Sequence, residues 1–212
     1  MIKDLRQRAK KILSVLEKEY PYAHCELDFS NPLQLAVAAI LSAQCTDKRV
    51  NMVTPALFKK YRTASDWADT PQEVLENEIR STGFYRNKAR SIRALCSELD
   101  ERFNGEVPDD FDELVKLPGI GRKTANVLMV TVFNKPGIVV DTHVTRVSRR
   151  LALTKHSDPV KIEFAIQELY PEKKWGRVSH VMVFHGRYCC TARKPECNRC
   201  PVRRWCPSAD KF

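Results

Sequence analysis

Apolar residues recur along the chain at the three-to-four spacing of buried helix faces, and almost nowhere in the strict alternation of a half-buried strand. Leu5, Ile12, Val15 and Leu16 share one stripe of an opening helix that Pro21 closes. Asn31 and Pro32 spell the start of a second helix. The next residues, through Ala43, are apolar on nearly every side, the pattern of a central helix surrounded by others. Thr70, Pro71, Gln72 and Glu73 have the form of a capping box with proline at the first helical position, and Gly83 is placed to end the helix that this box opens. A long charged helix is expected over 86–103, with Ala89, Ile92, Leu95, Cys96 and Leu99 as its inner stripe. Asp109 or Asp110 opens a short helix that runs into Leu117 and Pro118. Ser157, Asp158 and Pro159 open another that ends near Tyr170 and Pro171, and residues 175–188 supply the last apolar stripe. About ten helices emerge, so the expected fold class is all-α. Only 137–140, Gly-Ile-Val-Val, has the composition of a short strand.

Composition adds a partner to this picture. With 212 residues and 43% hydrophobic content the chain is long enough to build a core, as one large domain or two small ones. Lys and Arg number 36 against 26 Asp and Glu, a formal charge of +10 that favours a polyanion, nucleic acid ahead of an anionic membrane surface. The excess concentrates in residues 171–212, which hold ten basic and three acidic residues. The longest apolar stretch, 35–41, falls far short of the ~20 residues of a membrane span, and the opening MIKDLRQRAKKIL lacks the apolar core of a signal peptide. A soluble intracellular protein with no membrane partner is therefore expected. In that reducing setting eight cysteines read as metal ligands or buried thiols rather than disulfides.

Four of them, Cys190, Cys197, Cys200 and Cys206, form a C-x6-C-x2-C-x5-C array within seventeen residues. Short loops of Arg, Lys, Asn and Pro cannot bury four thiols without a common partner, and a metal supplies one. Zinc and an iron–sulfur cluster both accept four thiolates. The single Cys-x2-Cys step, with Cys200-Pro201 and Cys206-Pro207, tilts the choice toward iron–sulfur. Cys25, Cys45 and Cys96 read as buried thiols, and Cys189 adjoins the array without a clear role.

A second motif is KLPGIGRKTAN, residues 116–126. Pro118 ends one helix, Gly119 and Gly121 allow a tight turn, and a new helix starts at Gly121 or Arg122, so backbone N–H groups and a helix dipole face one spot. A nucleotide-binding P-loop is excluded because one residue, not four, separates the glycines, and a helix precedes them. The turn matches a helix-hairpin-helix, which grips DNA backbone without reading sequence. Lys123 falls on the first turn, where the dipole favours a neutral amine. Asp141 precedes Val144, Val147 and Leu151 on one stripe, which by itself reads as an N-cap, and His143 as a helix-surface or packing histidine.

Taken in order, LSAQCTD at 41–47, STGFYRNKA at 81–89, LPGIGRKTAN at 117–126, VDTHV at 140–144 and the cysteine array resemble the endonuclease III family of bifunctional DNA glycosylases and AP lyases. The resemblance implies two helical domains with a DNA-binding cleft between them. One is a six-helix bundle over 26–135 with the helix-hairpin-helix at about 110–130. The other joins 1–25 to 136–212 and carries a [4Fe-4S] cluster on Cys190, Cys197, Cys200 and Cys206 in the loop 190–206. It further implies that Lys123 is the nucleophile and Asp141 the catalytic carboxylate. Gly119, Gly121 and Arg122 would hold DNA backbone, and His143 would lie beside the lesion. Gln44 and Phe84 would fill the space left by an extruded base; many members have Leu at the position of Phe84. The implied activity is removal of oxidised pyrimidines from double-stranded DNA through a lysine Schiff base, followed by β-elimination. It is expected of a monomer in the cytoplasm, associated with the nucleoid when bound to DNA. The alternative is a non-catalytic DNA-binding or redox-sensing iron–sulfur protein.

Overall fold

Eleven α-helices and four short 3-10 turns, with no strand, make up the regular structure of the described residues. These are residues 2–209 and 211 of a computed structural model. Met1, Asp210 and Phe212, at the ends of the expected cluster domain, lie outside them. The chain divides into two compact units, Glu26–Asn134 and the joined segments Met1–Cys25 and Lys135–Phe212.

In the continuous unit, α2 (Pro32–Leu41) is the centre: Leu33 and every residue from Leu35 to Leu41 are buried. The Asn31 side chain caps its start by accepting from the Gln34 amide at 2.9 Å, and Pro32 fits the first turn because that N–H has no helical partner. Around α2 pack α3 (Asp47–Lys60), α6 (Tyr85–Phe103) and α8 (Arg122–Thr131). The apolar stripe expected of α6 is buried in full, from Ala89 to Leu99. The capping box falls elsewhere than expected. Thr63 and Asp66 form it, at the start of α4 (Ala64–Asp69), while the Thr70 hydroxyl donates backward to the Asp66 carbonyl at 2.7 Å. Pro71, without a side-chain acceptor, is left to precede α5 (Gln72–Glu78). Helices α3 and α4 escape the periodicity reading because α3 buries only Val50, Thr54 and Leu57 and carries Pro55 inside. Trp67 of α4 is fully covered, its ring 4.5 Å from that of Tyr61. Of the three thiols expected to be buried, only Cys96 is; Cys25 and Cys45 are half-buried.

The other unit is closed by contacts far apart in sequence. Its helices are α1 (Ile2–Glu19), α9 (Thr142–Arg150), α10 (Pro159–Gln167) and α11 (Trp175–Tyr188). The Arg8 guanidinium of α1 donates to the carbonyls of Leu151 at 2.6 Å, Ala152 at 2.8 Å and Trp205 at 2.9 Å. One side chain thus satisfies the orphan carbonyls after α9 and ties the first helix to the last turn. Arg177 of α11 does the same for the chain leaving α1, donating to Tyr20 and Ala23 carbonyls. The segment 137–140 is extended but pairs with no strand among the described residues. The Val139 amide donates instead to Ser179 Oγ of α11 at 2.9 Å, and Ile138, Val139 and Val140 are buried.

Candidate functional site

The glycine turn lies between α7 (Phe111–Leu114) and α8. Leu117 and Ile120 are buried beneath it and the Ile120 amide donates to the Leu117 carbonyl at 3.1 Å, while the Arg122 guanidinium stacks 4.9 Å from the centre of the Phe111 ring. The two glycines do different work. Gly119 has φ +77°, and a Cβ there would meet Ser91 Cβ at 2.9 Å and Ile40 Cδ1 at 3.1 Å. Gly121 has φ −87° and open space where a Cβ would stand; as N-cap it offers no side chain, so nothing on that residue competes for the first amides of α8. Gly119→Ala is expected to cost roughly 2–3 kcal/mol, from left-handed strain plus overpacking. Gly121→Ala is expected to stay within about 1 kcal/mol in urea unfolding. Equal losses would sink this division of roles.

Lys123 comes next, on the first turn of α8, exposed rather than partly buried, and that turn carries no acidic residue. Gln44 and Phe84 share a rarer property: both are non-glycine residues in the left-handed region, at φ 52° and φ 48°. Such a conformation costs about 1–2 kcal/mol for a residue with a Cβ. Both side chains are exposed, Phe84 by 61%, so neither strain is repaid by burial in this unit. Asn104, Asn134 and Ala152 share the conformation, so the strain becomes a mark of function only together with the exposed large side chains it holds out.

In the other unit, Asp141 is indeed the N-cap of α9, its Oδ1 accepting from the Val144 amide at 2.8 Å. His143, one turn in, is half-buried against α11, where Gly186 allows the close approach: a Cβ at that glycine would stand 2.8 Å from His143 Cβ. Arg146 donates to the Gly186 carbonyl at 2.7 Å and lies 3.1 Å from His143 Nδ1. Because a guanidinium only donates, Nδ1 accepts and the imidazole proton sits on Nε2.

The four cysteines of the array line one pocket, with Arg150 and His185 on its wall. Two 3-10 turns, Cys197–Arg199 and Arg203–Trp205, carry the loop, and Val202 anchors it in the core. Helix α9 holds it from below: Arg150 donates to Cys190 Sγ at 3.4 Å and to the Thr191 carbonyl at 2.7 Å, and Arg146 to the Cys190 carbonyl at 2.9 Å. His185 and Cys189, neither expected as part of this centre, place ligand atoms within 4.8 Å of one another and of Cys200 Sγ. Hydrogen bonds from the Cys189 thiol and then His185 hold Cys200 well below the usual thiol range, toward the thiolate a metal takes, while the same shared bond and burial push Cys189 up. Four cysteines converging on one pocket are the donor set an iron–sulfur cluster takes. The basic side chains of the loop, Arg193, Lys194, Arg199, Arg203 and Arg204, are exposed. Arg199 pairs with Glu196 and Arg204 lies over the Trp205 ring at 3.8 Å, so these two also brace the loop.

A buried lysine completes the geometry. Lys88, 4% exposed, donates from Nζ to the Leu41 carbonyl at 2.7 Å and the Thr82 carbonyl at 2.8 Å. Burial lowers its proton affinity. Its signal in the sequence was its place: four residues before Ile92, it stands on the inner stripe of α6 itself. Among the described residues no helix is long and apolar enough to cross a membrane.

Residues 37–172 match the HhH-GPD superfamily of base excision DNA repair proteins, and 190–206 match the iron–sulfur binding domain of endonuclease III. Endonuclease III of Synechocystis sp. is 50% identical over 205 residues, 96% of this chain and 94% of that protein. The enzyme of Bacillus subtilis is 48% identical, over 91% and 88% of the two chains. Among solved structures, a trapped endonuclease III–DNA covalent intermediate superposes with a TM-score of 0.94 at 48% identity, over 97% of each chain.

Proposed function

We infer, for a chain that belongs to the endonuclease III family of HhH-GPD base excision repair proteins, a DNA glycosylase and AP lyase that uses Lys123 as its nucleophile. The observation that carries this reading is the delivery of Lys123. A glycine hairpin rigidly packed under α6 and α2 presents the amine, exposed, on an α8 turn without acidic residues. The proposed substrate is duplex DNA with an oxidised pyrimidine or an abasic site. The protein is proposed to act as a monomer in the cytoplasm, at the nucleoid. Backbone N–H groups at Gly119, Gly121 and Arg122 hold a phosphate, helped by the dipole of α8.

Extrusion of the damaged nucleotide costs a few kcal/mol, least for a base that pairs or stacks poorly. Gln44 and Phe84, exposed on strained backbone, enter the vacated stack and hold the base outside. The Lys123 Nζ lone pair then attacks C1′. The C1′–N bond breaks, its electrons leave with the base, and the base takes up a proton. Ring opening and loss of the amine proton give an iminium that acidifies the 2′ hydrogens. Removal of one of these expels the 3′ phosphate with the C3′–O electron pair, and water releases Lys123. Asp141 stabilises the positive charge that grows on the sugar and moves protons during these steps. His143, its tautomer set by Arg146, presents Nε2–H toward the DNA. The [4Fe-4S] cluster, held by Cys190, Cys197, Cys200 and Cys206, crosslinks the loop that carries the basic side chains and takes no part in these steps.

Asp141→Asn separates the cap from the chemistry, because asparagine caps helices as well as aspartate. On a duplex with one oxidised pyrimidine, single-turnover base release is expected to fall by roughly 10²–10⁴-fold. The unfolding free energy in urea should change by no more than about 0.5 kcal/mol. Retained base release would reduce Asp141 to a structural cap.

A further inference from the structure

We propose that Lys88 is a positioning residue for base extrusion, a single buried ammonium that locks together the two loops carrying Gln44 and Phe84. The proposal rests on the reading of those two residues as the intercalating pair. Leu41 is the last residue of α2, and its carbonyl is one of those a helix end leaves without an intrahelical partner. Thr82 ends the 3-10 turn Arg80–Thr82, and its carbonyl is likewise beyond the reach of local N–H groups. Both residues are buried, Leu41 fully and Thr82 to 2% exposure, so water does not serve them. Lys88 Nζ donates to both, at 2.7 and 2.8 Å.

Each of these carbonyls stands just ahead of a strained residue. Gln44 comes three residues after Leu41 and Phe84 two after Thr82, each at positive φ, with Gly83 at φ 70° between Thr82 and Phe84. Lys88 is also tied to Phe84 through the backbone, its own amide donating to the Phe84 carbonyl at 3.1 Å. Two strained, exposed side chains from separate parts of the chain are thereby referenced to one cation. Charge-assisted bonds to two carbonyls resist the relaxation of either loop, which is the pre-organisation that insertion into stacked DNA demands. An apolar residue would fill the same stripe position on α6 but leave both loop ends free to drift.

The test compares extrusion-dependent and extrusion-light substrates. Lys88→Met keeps an unbranched stem and removes the donors. On a duplex containing an oxidised pyrimidine, its single-turnover base release, corrected for active fraction by borohydride capture, is expected to fall by at least about tenfold. Nicking of a preformed abasic duplex, where no base must be unstacked, should change by less than about threefold. In a Gln44→Ala/Phe84→Ala background the same substitution should add less than about threefold, because its effect runs through those residues. Lys88→Gln, with two N–H donors on a shorter stem, is expected to fall between Lys88→Met and the unmodified protein. It carries the same comparison if Lys88→Met does not fold. Equal losses on both substrates, or an undiminished loss in the double-alanine background, would show ordinary core support and overturn the proposal. Unchanged base release by Gln44→Ala/Phe84→Ala would overturn the intercalation reading itself, whatever Lys88→Met does.

Discussion

Lys123→Ala is expected to abolish borohydride-dependent capture of the protein on abasic duplex DNA and to lower nicking by roughly 10³-fold or more. Lys123 is an exposed side chain on the first turn of α8, so its truncation removes little packing, and the unfolding free energy should stay within about 0.5 kcal/mol. DNA affinity should fall only modestly, since one phosphate-range charge is lost from a protein of formal charge +10. That combination, near-normal folding and binding with no covalent product, separates a nucleophile from a phosphate contact. If the alanine protein were still trapped by borohydride, another amine would be the nucleophile and the assignment of Lys123 would fall. The result also decides against the non-catalytic alternative, because a DNA-binding iron–sulfur protein without enzymatic function forms no adduct in the first place.

Loss of the cluster is expected to have the second-largest effect, and a different signature. The loop 190–206 has two single-turn helices and one fully buried hydrophobic anchor, Val202, and the Arg8, Arg146 and Arg150 hydrogen bonds reach only its two ends, so its middle depends on the crosslink. Closing a loop of about 15 residues by one crosslink is worth roughly 3 kcal/mol, and a cluster ties four points. Cys200→Ser is therefore expected to lower stability by about 3 kcal/mol or more and to raise hydrogen exchange across 190–206. The basic side chains that ride on the loop lose their fixed positions, so DNA affinity should weaken by about tenfold or more, with a shallower dependence on salt. Chemistry on DNA that is already bound should survive at saturation. A Cys200→Ser protein with unaltered exchange and salt dependence would show that the loop is ordered without the crosslink.

The legible parts of the chain were those where the physics is local. Asp141 as an N-cap, Asp158 before Pro159 and Asn31 before Pro32 depend on one polar side chain and its own helix, and each is found as expected. The misplaced capping box shows the limit of the same logic. Thr70 had the right neighbours, but its hydroxyl closes the end of α4 by donating to the Asp66 carbonyl and so does not cap α5; the box that forms is Thr63 with Asp66 at the start of α4. The site divides in the same way. Lys123, Gly119 and the cysteine array are motifs within a few residues, whereas Lys88, His185 and Arg146 act on backbone or side chains up to 47 residues away, so no local spacing shows what they bind.

By itself, the order of residues determined the helical class, the hairpin, the thiolate array and the family to which the chain belongs, because each rests on spacing along a single stretch. Only the folded chain decided that Gly119 is required by Ser91 and Ile40 while Gly121 is not, that Gln44 and Phe84 stand on strained backbone, and that one buried lysine joins their loops. The physical reason is the same in each case. Steric exclusion and the pairing of buried polar groups depend on which distant segments meet, and that is set by how the core closes rather than by the composition of any one segment.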